Sequence, residues 1–126
     1  MSRERQDLGL SGEELAAEHL ASRGYKILAR RYRTRLGEID LVAALGGLLV
    51  FVEVKARRGG GFGAPAEAVH ARKQARIMRV AQLFLLERLP RGEVEPSCRF
   101  DVISITWEPG RLAVIDHIED AFRPSV

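Results

Sequence analysis

The chain opens with helical spacing, changes to the two-residue alternation of strands, returns to a long helical stretch and ends in strands again. Ala16, Ala17, Leu20 and Ala21 recur along one arc of a helix. Ser11 and Glu14 form a capping box, so this helix is expected to start at Ser11 and run to about Arg23, with Gly24 ending it. Residues 25–32, 38–44 and 48–57 then read as three strands of a meander. Helical spacing holds over 66–89, with a break near His70 and a stop at Pro90. Its buried side is expected to hold Ile77, Val80, Ala81, Phe84 and the stem of Arg88. Residues 99–107 and 111–118 read as two more strands, turned at Pro109-Gly110. The order α-β-β-β-α-β-β predicts an α/β domain with a mixed sheet of about five strands flanked by helices.

Within the meander two positions break the apolar pattern. Asp40 sits in Gly37-Glu38-Ile39-Asp40-Leu41-Val42, and Glu53 and Lys55 sit in Val50-Phe51-Val52-Glu53-Val54-Lys55. Side chains alternate along a strand, so Glu53 and Lys55 share one face and Val50, Val52 and Val54 the other. Gly46-Gly47 suits a two-residue hairpin turn, which sets Leu45 opposite Leu48 and, counting back, Asp40 opposite Glu53. Directly opposed carboxylates lie about 4.5–5.5 Å apart at Cβ and repel. They need a cation between them, or one must stay protonated. A one-residue bulge would instead turn Asp40 to the other face, leaving a hairpin in which Glu53 pairs with Lys55 or a nearby arginine. Glu13 falls inside the apolar arc of the first helix, where it is either aimed at the packed face or complements the helix dipole.

With 126 residues, 46% of them hydrophobic and 29% charged, the composition is that of one globular domain, 1–126, with 1–8 and 123–126 expected as flexible ends. No apolar run approaches the roughly 20 residues of a membrane span, and the polar first residues do not form a signal peptide. Cys98 is the only cysteine, which excludes an internal disulfide and points to the cytoplasm. The net charge is +3, but the cations are clustered. Arg30, Arg31, Arg33 and Arg35 form one group, Arg57 and Arg58 follow Lys55, and Arg72, Lys73, Arg76 and Arg79 lie on the second helix. The planar arginine fork matches phosphate oxygens, so a polyanion is the expected partner. A solvated charged face is the alternative.

Other motifs fall away. Gly61-Phe62-Gly63-Ala64-Pro65-Ala66 superficially fits a dinucleotide loop, but the acid that fingerprint needs about 20 residues later would lie within the long helix. The glycine loop that remains is flexible enough to lie near a phosphate backbone. His19, His70 and His117 lack metal-ligand spacing and are expected to be solvated or structural.

Taken together, Gly12-Glu13, Gly24-Tyr25-Lys26-Ile27-Leu28, the Asp40 and Glu53 blocks, Phe62-Gly63-Ala64-Pro65 and Arg99-Phe100-Asp101-Val102-Ile103 resemble the YraN-type family of small bacterial proteins. That family is similar to archaeal Holliday-junction resolvases of the PD-(D/E)xK superfamily, so the resemblance implies a restriction-endonuclease-like core. It also implies Asp40 and Glu53 as metal ligands, with the Val54 carbonyl a third, Lys55 as the catalytic lysine and Glu13 as the helical glutamate. Ile39 stands where the motif carries proline, and no glutamine-to-tyrosine motif is found on the following helix, where Lys73 and Gln74 lie. Such a ligand set suits Mg²⁺ or Mn²⁺. The implied activity is hydrolysis of a phosphodiester in DNA, in preference to RNA, with branched substrates included. The arginine clusters would hold the backbone, and a homodimer would suit paired cleavage. The competing expectation is a nucleic-acid-binding protein of the same fold without turnover. A third is a scaffold for a protein partner.

Overall fold

The computed structural model describes residues 3–58, 70–89 and 96–124, with the backbone alone for 3–10. Helix α1 (Arg3–Ser22) is followed by β1 (Lys26–Thr34), β2 (Gly37–Leu45), β3 (Leu48–Arg58), α2 (Ala71–Arg88), β4 (Ser97–Trp107) and β5 (Val114–Phe122). The strands form one sheet in sequence order, antiparallel except for the parallel pair β3 and β4 that α2 connects. This is the expected mixed α/β arrangement. The glycine loop, including Phe62-Gly63-Ala64-Pro65, and the Pro90 stop lie outside the described residues.

One helix packs on each face of the sheet. Ala16, Ala17 and Leu20 of α1 bury against Leu41, Val50 and Ile103, while Ile77, Val80 and Phe84 of α2 bury against Val42, Phe51 and Phe100. Each Å² of apolar surface that these side chains withdraw from water stabilises the fold by about 25 cal/mol. Arg88 does not join the buried side: it is exposed, its guanidinium 5.2 Å from the centre of the Phe84 ring.

The first helix corrects one expectation. It starts at Arg3, not Ser11, so Ser11 and Gly12 are interior residues and the capping box is not used. Residues 3–8 (Arg-Glu-Arg-Gln-Asp-Leu) are mostly good helix formers, and nothing in them stops the helix. Gly12 serves packing: a Cβ there would sit 2.8 Å from the Ala56 Cβ, closer than atoms tolerate. The C-terminus follows expectation. Gly24, at φ 89, donates to the Ala21 carbonyl and Tyr25 to that of Leu20, a Schellman motif.

Two other bounds move. Within the described residues α2 begins at Ala71, behind an N-cap at His70 that makes no side-chain cap bond. Strand β5 begins at Val114, three residues later than expected, and continues to Phe122, because Phe122 stacks on Phe100 and extends the pairing.

His19 and His117 are structural. Asp101, fully buried, accepts a two-pronged bond from Arg99 at 2.8 Å, a bond from the Asp120 N–H and one from His117 Nε2 at 2.7 Å. His19 Nε2 lies 3.2 Å from His117 Nδ1, and Arg23 Nη1 donates to His19 Nδ1. Guanidinium only donates, so His19 accepts from Arg23 at Nδ1, and Nε2 is the nitrogen it turns to His117. Burial, then the neighbouring Arg23 and His117, hold His19 below its ordinary pKa. Burial alone would raise Asp101, but the bonds from His117 and Arg99 bring it below the usual carboxylate range.

Candidate active site

The hairpin turn lies where the glycines put it: Leu45 pairs with Leu48, and the register runs back through Val42–Phe51 to Leu41–Val52. One step further the regular ladder stops. There the Asp40 carboxylate takes over from the backbone, its Oδ2 accepting the Val54 N–H at 2.8 Å.

The local cause is a loss of alternation. Ile39 and Val42 both pack on the α2 side of the sheet, whereas Leu41 and Ala43 pack on the α1 side. Strict alternation would put Ile39 with Leu41. The neighbouring strand is irregular too, with a register shift between Ile27 and Ala29 and Arg31 at φ 50. Asp40 nevertheless remains beside Glu53. It is pushed up to about 7, first by burial and then by the Glu53 carboxylate, against the pull of the Val54 N–H; Glu13 adds a further push.

Glu53 is 8% exposed and faces α2, as alternation with Phe51 requires. Two ammonium groups attend the same oxygen. Lys73 Nζ lies 2.5 Å from Glu53 Oε1 and Lys55 Nζ lies 3.6 Å from it. Burial works against both cations. In Lys73 burial is the largest single influence, but the bonds to Glu53 and Lys55 and the charges of Glu53 and Asp40 together outweigh it and the pKa is raised. In Lys55 burial, with the adjoining Lys73, leaves the pKa lowered.

Glu13, from α1, is half-buried and bonded to Arg31 Nε at 2.7 Å. The left-handed backbone at Arg31, uncommon for a residue with a side chain, accompanies this pairing. Among the described residues no three His, Cys, Asp or Glu side chains converge on one point as a ready metal cluster. The structure therefore brings Asp40, Glu53, Lys55 and Lys73 together and ties Glu13 to a guanidinium at their edge.

The arginine groups fare differently. Arg33 pairs with Glu38 at 3.4 Å, Arg30 and Arg35 are exposed, and Arg57 is half-buried beside exposed Arg58. Arg72, Arg76 and Arg79 line an open cleft with Leu36 and Ala75. These three have no ion-pair partner among the described residues. A Cβ at Gly37 would lie 2.8 Å from Arg76 Cδ, so the Arg76 stem runs across the start of β2, three residues before Asp40. Lys73, expected among the nucleic-acid contacts, instead turns to Glu53. Sequence spacing missed this pair. Its one signal was a lysine in the first turn of a helix, where positive charge is unfavourable.

The profile of the uncharacterised protein family UPF0102 matches residues 12–105. The chain belongs to UPF0102. A UPF0102 protein of Symbiobacterium thermophilum is 55% identical over 103 residues, covering 82% of this chain and 83% of its own. UPF0102 proteins of Nocardia farcinica and Alkaliphilus oremlandii are each 48% identical, the first over 94% of this chain and 91% of its own, the second over 91% and 97%. The segment matched by the UPF0102 profile contains Glu13, Asp40, Glu53, Lys55 and Lys73.

Proposed function

We propose that this protein is a divalent-metal-dependent nuclease that hydrolyses phosphodiesters in DNA, branched DNA included. The carrying observation is the Asp40–Glu53 pair: two carboxylates side by side at the end of the ladder, one with its pKa raised, beside an ammonium drawn in to 2.5 Å. Such a site attracts positive charge, and its all-oxygen donors match Mg²⁺ or Mn²⁺. Asp40 and Glu53 would hold the ion, with the Val54 carbonyl adjoining them and Glu13 available if released from Arg31.

When bound, the ion supplies Lewis acidity at a phosphoryl oxygen. Lys55 stands on the same face as Glu53 and supplies positive charge where the transition state accumulates negative charge. Arg72, Arg76 and Arg79 hold the backbone on the α2 side and read no base. No helix among the described residues is long and apolar enough to cross a membrane.

A second reading has its own observation. With Glu13 on Arg31 and Glu53 on Lys73, every acid of the site except Asp40 already has a cation, as in a binding protein without turnover. One screen separates the two. Linear and branched DNA and RNA are incubated with Mg²⁺, Mn²⁺ or chelator, using wild type and Glu53→Ala freed of contaminating nuclease. The nuclease reading expects a metal-dependent product that Glu53→Ala reduces by more than roughly a hundredfold while DNA retention stays near wild type. Equal product from both proteins overturns it, and salt-sensitive retention without product selects the binding protein.

A further inference from the structure

We infer that Lys73 is a built-in stand-in for the metal, a plug that arriving nucleic acid removes; this rests on the metal-site reading above. Three observations converge on it. Lys73 Nζ is on Glu53 Oε1, the oxygen that Lys55 approaches less closely. An ammonium at that distance uses the lone pair a divalent ion would need, so the plugged and metal-loaded states exclude one another at this oxygen.

The second observation is where Lys73 comes from. It lies in the first turn of α2, behind an N-cap without a side-chain bond and with no acidic residue in that turn. The helix dipole and neighbouring Arg72 both disfavour a cation there, so in this state Glu53 is what holds the Lys73 charge in place. An anionic phosphate at the same helix end would serve equally well.

The third is what surrounds it. Residues 73 and 76 are one turn apart on the same side of the helix, and Arg72, Arg76 and Arg79 have no ion-pair partner among the described residues. A phosphate backbone seated along these guanidinia reaches Lys73 as a competitor for Glu53. Once the ammonium transfers to phosphate, Glu53 is free for a cation. Nucleic acid and metal then bind with positive coupling, and the coupling is reciprocal.

The test is Mn²⁺ affinity, measured by calorimetry on wild type, Lys73→Met, Lys73→Gln and Arg76→Met, with and without a short DNA duplex whose own Mn²⁺ uptake is subtracted. If the wild-type site is open about one-tenth of the time, both Lys73 variants bind Mn²⁺ roughly tenfold more tightly than wild type. Arg76→Met removes a charge of the same sign one turn away and tightens Mn²⁺ binding much less than the Lys73 variants do. Adding duplex tightens Mn²⁺ binding in the wild type and has much less effect in the Lys73 variants. Mn²⁺ binding that is the same in wild type and both Lys73 variants overturns the plug. So does a duplex effect of equal size in all four proteins, or Arg76→Met tightening as much as Lys73→Met. Absence of Mn²⁺ binding in every protein overturns the metal-site reading itself, and the plug with it.

Discussion

At Asp40 two demands meet: its Oδ2 accepts the Val54 N–H, while its charge faces that of Glu53 in a partly dry setting. The folded pKa of about 7 lies above the ordinary 3.8, so between those values the folded chain binds more protons than the unfolded one. Stability without metal therefore falls as pH rises through that window. Asp40→Asn keeps an oxygen for Val54 and removes the charge. Without metal, its melting temperature should exceed that of wild type, by a margin that widens between pH 5 and pH 8, at roughly 3–6 °C per kcal/mol for a domain of this size. A constant margin across that range would show that Asp40 does not titrate there. Asp40, Glu53 and Lys55 were legible in the sequence because an acid or a lysine in a strand of valines breaks a local pattern. Lys73 was not, because one lysine among helix arginines breaks none.

At the scale of elements, the docking of α1 onto β3 depends on Gly12. The close approach to Ala56 leaves no room for a methyl group, so the helix backbone lies almost on the strand and carries Glu13 to the rim of the site. Gly12→Ala improves helix propensity by about 1 kcal/mol in isolation, yet here it should destabilise by about 1–3 kcal/mol through overpacking. Combining it with Ala56→Gly should cost less than the sum of the two single changes in chemical denaturation. Strict additivity would place the clash elsewhere. The strand pattern and hairpin turn were readable because alternation and turn chemistry are local. The start of α1 was misjudged because Ser11 and Glu14 form a capping signal that the preceding helix-forming residues override. The continuation of β5 to Phe122 was hidden for another reason: the stack of Phe122 on Phe100 and Phe100 on Phe51 crosses three strands.

For the whole molecule, a net charge of +3 understates the field that a polyanion meets, because Arg72, Arg76 and Arg79 share one cleft on the helix that carries Lys73 to Glu53. Replacing each by Gln should weaken DNA binding with little dependence on sequence. It should also lower the salt slope of log K by roughly one per arginine, measured by fluorescence anisotropy. An unchanged slope in the triple variant would move the interface off α2. The order of residues alone determined the succession of helices and strands, the Gly46-Gly47 turn and the antiparallel register from Leu45–Leu48 back to Leu41–Val52, since each follows from side-chain period and turn preference within a few residues. Tertiary structure alone decided which cation meets which acid. α2 crosses back over the sheet between two parallel strands and brings Lys73 onto Glu53, and the irregular backbone at Arg31 accompanies its bond to Glu13. Those pairings depend on where distant segments come to rest in space, and no local period of the chain encodes that.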